Sequence, residues 1–345
     1  MSLRSVALFI AVAFASACSV QRWQPSKSSA MDEHMSHMTA VDMAAGSGAA
    51  RANTAAPQGT PGLPASAATA AARVSGSPRH AEWVKIAWEP GSSDSLMAWI
   101  VYPMTKTKAP VVVVVHEIFG LSTWVRSVAD QFAAEGFIAI APDLNSRVRG
   151  GPSTTELSSD SARKLIAGVN FTDRNKGISA VAAYAMSQPS AEARYGVVGY
   201  CWGGSTAFGH AVYNGKGLRA AVAFYGLPFT RPLTDSTGKA VGVEVIADSL
   251  AKITVPMMLL NGSADQRIAA AMPELEAKMK ALKKDYLGKN YEGAVHGFLR
   301  AQDDGPAPGQ QASAATQAAQ AANLAATKDA WPLTVSFFKK HLSSK

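Results

Sequence analysis

The sequence is poor in cysteine and in charge. Its 345 residues include two cysteines, Cys18 and Cys201, and only 17% of them are charged. Two cysteines exclude a disulfide framework and a zinc site built from thiolates. We do not expect the two to pair, because Cys18 ends a segment with the features of an export signal. The net charge is +8, from 33 basic and 25 acidic residues, but no block of Lys and Arg stands out, so nucleic-acid binding is not expected.

The first 18 residues resemble a bacterial export signal. Arg4 precedes a short apolar run at 6–14, which is too short to span a bilayer as a helix. The next residues, Ala-Ser-Ala, fit an A-x-A cleavage site, and Cys18 follows directly, as in lipoprotein signals whose cysteine is acylated. The departure is Ala15, where such signals usually carry leucine. We favour lipid anchoring through Cys18 over simple secretion, and an exported, periplasmic or membrane-anchored protein over a cytoplasmic one.

Residues 19–79 are rich in Ala, Ser, Gly, Pro and Thr and have few large apolar side chains. Such a segment buries too little surface to offset its ordering entropy, so we predict a disordered tether and a globular domain over 80–345. Met-Asp-Glu-His-Met-Ser-His-Met at 31–38 carries thioethers and imidazoles, which suit copper. We prefer a flexible linker with chance Met and His, because nothing else fixes a geometry, and we expect no metal or cofactor.

Beyond residue 80, short apolar runs alternate with segments of helical spacing. Five consecutive valines at 111–115 predict a strand buried on both faces, as in a parallel sheet. The predicted strands are 82–88, 96–102, 111–115, 137–141, 195–198, 220–225, 257–260 and 286–292. The predicted helices are 122–135, 156–167, 173–187, 206–212, 273–284 and 327–342, the fifth with a proline in its first turn. This order predicts an α/β fold, a doubly wound and mostly parallel sheet with helices on both faces and ligands at the carboxyl ends of the strands.

Two stretches interrupt this alternation. Residues 227–250 form a long connection, a lid or a hairpin, and residues 302–323 are rich in Ala and Gln, as in a weak helix or an unstructured insertion. Neither carries a motif of its own.

A predicted strand runs into Gly-Tyr-Cys-Trp-Gly-Gly at 199–204, and a helix follows. This is the G-x-S-x-G nucleophile elbow with cysteine in place of serine. Gly199 and Gly203 flank Cys201 at the positions where side chains would obstruct the tight turn. The helix N-terminus favours a thiolate, and the Trp202 amide can donate to an oxyanion. Cys201 is the predicted nucleophile; the alternative is a buried structural cysteine beside packing glycines.

The acid and the base should follow the nucleophile in that order. Of the three histidines after Cys201, His296 is the predicted base because it lies in a glycine-flanked loop after a strand. His210 lies in the helix after the elbow, and His341 lies in a charged run near the C-terminus. Asp265 is the only carboxylate in the loop that follows the predicted strand ending at Leu260. We expect it to hold the His296 tautomer, with a helix N-cap as its alternative role.

The loop after the valine strand reads His-Glu-Ile-Phe-Gly at 116–120. In elbow hydrolases this loop supplies the second oxyanion donor, here the amide of Ile118. Glu117 would then be an anion beside the nucleophile, which a triad does not require.

These residues resemble the dienelactone hydrolase family, in motifs that span about 83–342 of the chain. The matching motifs are H-E-I-F-G at 116–120, P-D-L at 142–144, G-Y-C-W-G-G at 199–204, F-Y-G at 224–226, G-S-A-D at 262–265 and H-G-F at 296–298. The resemblance implies an α/β-hydrolase fold and a cofactor-independent triad of Cys201, His296 and Asp265.

The resemblance also implies roles for four further residues. Glu117 would pair with the resting thiol and move away when substrate binds. Arg147 and Arg300 would hold the carboxylate of a cyclic enol ester, with Tyr225 near the lactone. From the residues alone, each arginine could equally be a solvated surface side chain.

The expected function is hydrolysis of a small ester or lactone through an acyl-thioester, by a monomer. The export signal, the tether and the insertion at 227–250 depart from the cytosolic family member that opens dienelactone, so its substrate need not be the same. The alternatives are a general carboxylesterase, a metal-handling lipoprotein with a dormant hydrolase domain, and a binding protein on a hydrolase fold.

Overall fold

The structure, a computed structural model, describes residues 59–153, 159–237, 240–302 and 311–343. The strands within these residues are β1 (Ala81–Ala87), β2 (Ser95–Val101), β3 (Ala109–Val115), β4 (Ile138–Asp143), β5 (Ala191–Tyr200), β6 (Leu218–Phe224), β7 (Thr230–Thr234), β8 (Ala240–Val245), β9 (Met257–Gly262) and β10 (Tyr286–Tyr291). The helices are α1 (Ala70–Ser75), α2 (Thr123–Ala134), α3 (Ser146–Arg149), α4 (Ser159–Ala167), α5 (Phe171–Met186), α6 (Trp202–Tyr213), α7 (Ala247–Ala251), α8 (Gln266–Ala281), α9 (Phe298–Ala301) and α10 (Ala314–Leu342).

Eight strands form one sheet in the order β1-β2-β4-β3-β5-β6-β9-β10. The β1–β2 and β2–β4 pairs are antiparallel, and the remaining pairs are parallel. After β3 the chain adds β4 on one side of it and then β5, β6, β9 and β10 in turn on the other side, so helices cover both faces. The predicted α/β-hydrolase fold is confirmed.

The valines of β3 show why the sheet forms here. Val111 to Val115 are all fully buried, because β3 lies between β4 and β5 and both of its faces are covered. An apolar side chain of this size contributes about 1.5–3 kcal/mol when it is fully buried. The carboxyl ends of β3, β5, β9 and β10 therefore meet at one firmly packed edge.

Two helices begin earlier than the sequence predicts. The Asp265 side chain accepts from the Ile268 amide at 3.4 Å and opens α8, which places Pro273 inside the helix and makes its predicted position in the first turn wrong. The Ser313 side chain accepts from the Thr316 amide at 3.1 Å and opens α10. Each cap satisfies an amide that has no partner within its helix.

The chain at 59–79, which we call the N-terminal arm, packs on the domain, whereas the sequence predicts a disordered tether there. Trp124 donates its Nε1–H to the Ala65 carbonyl at 3.0 Å. Arg79 reaches Asp130 through Nε at 2.9 Å and Nη2 at 2.6 Å. Composition underestimates the arm because hydrogen bonds and an ion pair to the buried Asp130 help to fix it. Residues 59–79 therefore pack with the domain predicted for 80–345 instead of forming part of a tether.

Several sequence predictions concern residues outside the described ranges. These are the export signal at 1–18 with Cys18, the Met/His segment at 31–38 and part of the Ala/Gln-rich stretch, 303–310. Of the connection at 227–250, the described residues form the antiparallel hairpin β7–β8 and then α7, which is the hairpin alternative. Within the described residues, no helix combines the length and apolar character needed to cross a membrane.

Candidate active site

Cys201 occupies the turn between β5 and α6. Its backbone has φ 58° and ψ −117°, a conformation that costs a non-glycine residue about 1–3 kcal/mol and that collects at functional sites. A Cβ on Gly199 would overlap the carbonyl of Gly203, and a Cβ on Gly203 would overlap the carbonyl of Val115. The two glycines are therefore required by the close approach of α6 to β5 and β3, and they hold the Cys201 thiol at the carboxyl edge of the sheet.

His296 lies between Cys201 and Asp265. Its Nδ1 is 2.5 Å from Asp265 Oδ2, and it shares a side-chain hydrogen bond with Cys201. With Nδ1 facing the carboxylate, Nε2 is the nitrogen left for the thiol. Burial alone would lower the pKa of His296, but the hydrogen bonds and charges of Asp265 and Cys201 outweigh it and raise the pKa to about 10. The imidazolium is thus the stable form at neutral pH.

The loop that carries His296 is fixed on both sides. Gly297 has φ 78°, which suits glycine, and the Val295 amide donates to Asn323 Oδ1 of α10 at 3.0 Å. The Tyr225 ring lies 5.1 Å from the His296 ring, and Tyr225 itself is fully buried. The structure therefore places Tyr225 against the base, at the end of β6.

The two predicted oxyanion donors come from neighbouring loops. Among the residues that the structure describes, neither the Ile118 nor the Trp202 amide donates a hydrogen bond. The Glu117 carbonyl accepts from the Gly120 amide at 3.4 Å and from His116 Nδ1 at 2.5 Å. These bonds turn the loop after β3 so that the Ile118 amide lies in it without an internal partner, as an oxyanion donor requires.

His116 was missed as a site residue by the sequence reasoning, although it begins the motif that contains Glu117. It is fully buried, and its Nε2 accepts from the Leu144 amide at 3.1 Å. Because Nε2 accepts, Nδ1 carries the hydrogen and the ring is neutral; burial lowers its pKa. The ring also stacks on Trp202 at 5.7 Å and 11°, so His116 ties the β3 and β4 loops to the elbow.

Glu117 and Arg300 form an ion pair, with 3.5 Å between Arg300 Nε and Glu117 Oε2. Glu117 is buried. The pKa of the Tyr225 hydroxyl is raised well above its usual value, first by burial and then by the charge of Glu117. The structure thus brings Glu117 and Arg300 together beside Tyr225. A pairing of Glu117 with the resting thiol remains a prediction.

Arg147 contacts a different set of residues. Its Nε donates to Asp94 at 2.9 Å, its Nη1 is 3.7 Å from Asp173, and its guanidinium lies 3.8 Å from the Trp88 ring centre. The pKa of Arg147 is raised, and the largest cause is its hydrogen bond to Asp94. The structure does not bring Arg147 into contact with Arg300, and its carboxylate-binding role remains a prediction.

The sequence profile of the dienelactone hydrolase family matches residues 96–342. The chain belongs to this family. It is 28% identical over 268 residues to a probable 2-oxo-3-(5-oxofuran-2-ylidene)propanoate lactonase of Bradyrhizobium sp., covering 76% of this chain and 96% of that protein. It is also 28% identical over 204 residues to a carboxymethylenebutenolidase of Pseudomonas putida, covering 58% of this chain and 79% of that one. As a family member, the chain is a hydrolase of lactones or esters.

Solved structures agree on the fold. A putative dienelactone hydrolase from Klebsiella pneumoniae superimposes with a TM-score of 0.58 at 22% identity, over 75% of this chain and 98% of that one. A dienelactone hydrolase-like promiscuous phosphotriesterase from metagenomic libraries gives 0.57 at 20% identity, over 76% and 98%. At these identities, the likeness shows a shared fold only.

Proposed function

We propose that this family member cleaves a carboxylate-bearing ester or lactone through a Cys201–His296–Asp265 triad and an acyl-thioester. The observation that carries the proposal is the chain of contacts from the strained elbow cysteine to His296 and on to Asp265 at 2.5 Å. Covalent catalysis requires a nucleophile that is hydrogen-bonded to a base, and a base that is oriented by a carboxylate.

The reaction proceeds in two halves. The Cys201 thiolate attacks the carbonyl carbon, and the carbonyl π electrons move to oxygen, where the amides of Ile118 and Trp202 stabilise the oxyanion. Collapse of this intermediate breaks the C–O bond, and His296 gives its proton to the leaving oxygen. A water molecule then loses a proton to His296 and attacks the thioester carbon. The C–S bond breaks, which releases the carboxylic acid and restores the thiolate–imidazolium pair.

We infer the substrate class from the positive charge of Arg300 and from the names of the relatives. Arg300 lies beside Glu117 and Tyr225 at the same edge of the sheet, and a guanidinium suits a carboxylate because it can donate two parallel hydrogen bonds. The relatives named above act on lactones that bear an acid group, by their names. We therefore propose an acidic ester or lactone, with Arg300, Arg147 and Tyr225 as its contacts and Glu117 as the group that substrate displaces.

We also propose that the enzyme works outside the cytosol, as a monomer. The support is the export signal and Cys18 in the sequence. Mass spectrometry of protein purified from bacterial membranes would show an acylated Cys18. A mature chain that still begins at Met1 would contradict export.

Substitution of Cys201 tests the chemistry. C201A should abolish hydrolysis of 4-nitrophenyl esters and of a carboxylate-bearing lactone, because no other nucleophile lies on the elbow. C201S should keep the fold with a weaker nucleophile. Rapid quenching of wild type with an aryl ester should yield the acyl mass on Cys201. Unchanged turnover in C201A would refute the triad, and faster turnover of neutral esters than of acidic ones would favour a general carboxylesterase.

A further inference from the structure

Three arginines near the site differ in how their charge is balanced. Arg300 pairs with Glu117, and Arg147 contacts both Asp94 and Asp173. Arg174 follows Asp173 in α5, but none of its contacts in the described chain is with a carboxylate. Within the residues that the structure describes, its positive charge is therefore not balanced by an ion pair.

Arg174 is nevertheless held in place. Its Nη1 donates to Thr206 Oγ1 at 3.3 Å, and its guanidinium carbon lies 5.0 Å from the ring centre of Trp202. Its Nε is buried without a hydrogen-bond acceptor, and burial lowers the pKa of the guanidinium. A partly buried cation with unused donors is costly, so an anionic ligand would be favoured at this place.

The topology puts this cation near the nucleophile. The fourth residue of α5 is Arg174, and α6 begins at Trp202, directly after Cys201. Both helices run away from the carboxyl edge of the sheet, so their first turns lie at the same edge as the thiol. Trp202, the predicted oxyanion donor, is in contact with Arg174 through its ring. The Arg174 guanidinium therefore lies against the residue that directly follows Cys201.

We propose that Arg174 is a specificity-determining residue that binds a carboxylate on the acyl part of the substrate. This inference rests on the proposed hydrolase function and goes beyond it, because it assigns recognition of the acid group to a residue outside the family motifs. The substrate class is a monoester or lactone of a short dicarboxylic acid. The rival role is structural, in which Arg174 only supports the Trp202 ring.

Matched substrates separate the two roles. The full chain would be assayed with 4-nitrophenyl acetate and with mono-4-nitrophenyl succinate, which differ by a carboxylate on the acyl chain. R174M keeps an unbranched, flexible side chain and removes the charge. It should lower the succinate-to-acetate ratio of kcat/KM by about 10- to 100-fold, mainly through KM, as expected for loss of a charge-assisted hydrogen bond. R174K should recover part of the ratio.

The control is R231M. Arg231 lies in β7, pairs with Glu244 and has a side chain that is 67% exposed, so its loss should leave the ratio unchanged. An equal fall for both esters in R174M would assign a structural role and overturn the inference. So would a ratio that falls in R147M and not in R174M. A wild type that hydrolyses neither ester would instead refute the proposed function, and a wild type without preference for succinate would refute this inference alone.

Discussion

Replacing Asp265 with asparagine removes the carboxylate of the proposed triad and leaves His296, its base, in place. The Asp265 carboxylate lies 2.5 Å from Nδ1 of His296 and accepts its hydrogen. An asparagine at this place can present its amide hydrogens to Nδ1, which would move the ring hydrogen to Nε2. The ring would then be neutral and would face Cys201 with a donor, so the thiolate–imidazolium pair would be less favoured.

The expected size of the D265N effect follows from the pKa of His296, which is raised from 6.5 to about 10. The imidazolium therefore stabilises the folded state fully below pH 6.5, and this contribution is lost as the pH rises toward 10. The His296 side chain is 41% exposed, so solvent screening reduces the energy involved. In D265N, we expect the alkaline limb of the pH–rate profile to move to lower pH by at least about one unit. We expect the rate to fall by roughly 10²- to 10⁴-fold, the upper value being that of a serine triad.

The assay needs a control for folding, because Asp265 also caps α8 through the Ile268 amide. Asparagine is a good N-cap, whereas alanine costs about 1 kcal/mol there. Both variants lose the stabilisation that the His296 imidazolium supplies. D265N keeps the cap, so D265A should unfold earlier than D265N, and both lose activity. Ester hydrolysis and iodoacetamide alkylation of Cys201 would be followed from pH 5 to 11. A D265N enzyme with a rate within threefold of wild type and an unmoved pH profile would refute the assignment.

Two further substitutions probe the surroundings of the triad. E117Q should lower KM for mono-4-nitrophenyl succinate several-fold relative to the acetate ester, because it removes a buried negative charge and releases Arg300. Steady-state kinetics would measure both KM values, and a raised KM for the succinate ester would contradict this prediction. W124F should lower the free energy of unfolding by about 1–3 kcal/mol, because the buried Ala65 carbonyl loses its donor. Urea titration would measure this, and an unchanged midpoint would show that the N-terminal arm does not depend on that bond.

The triad loops could be predicted because each follows a buried strand. Cys201, Asp265 and His296 come after β5, β9 and β10, and the carboxyl ends of parallel strands share one edge of a sheet. Their sequence separation is large, but the topology brings them together. Local glycines and the order of strands carry this information, so a single sequence is enough to place the three side chains.

The partners of the arginines could not be predicted in the same way. Arg147 contacts Asp94, in the β1–β2 connection, and Asp173, in α5. Neither contact leaves a periodic or spaced pattern, because it depends on where a surface turn meets a helix. Arg174 follows Asp173 in the sequence and has no motif. Its lack of a carboxylate partner among the described residues appears only when the charges around it are examined in three dimensions.

The N-terminal arm, residues 59–79, contacts the segment that directly follows His296. The Ala67 amide donates to the Arg300 carbonyl at 2.9 Å, and the side chain of Gln302 donates to the Pro64 carbonyl at 2.8 Å. Both acceptor–donor pairs join the arm to α9 and the residue after it, which follow His296 directly. The family profile begins at residue 96, so these bonds join the matched region to a segment that precedes it. Because Arg300 is held through its backbone by the arm and through its side chain by Glu117, the arm helps to position the side chain that we propose as a substrate contact.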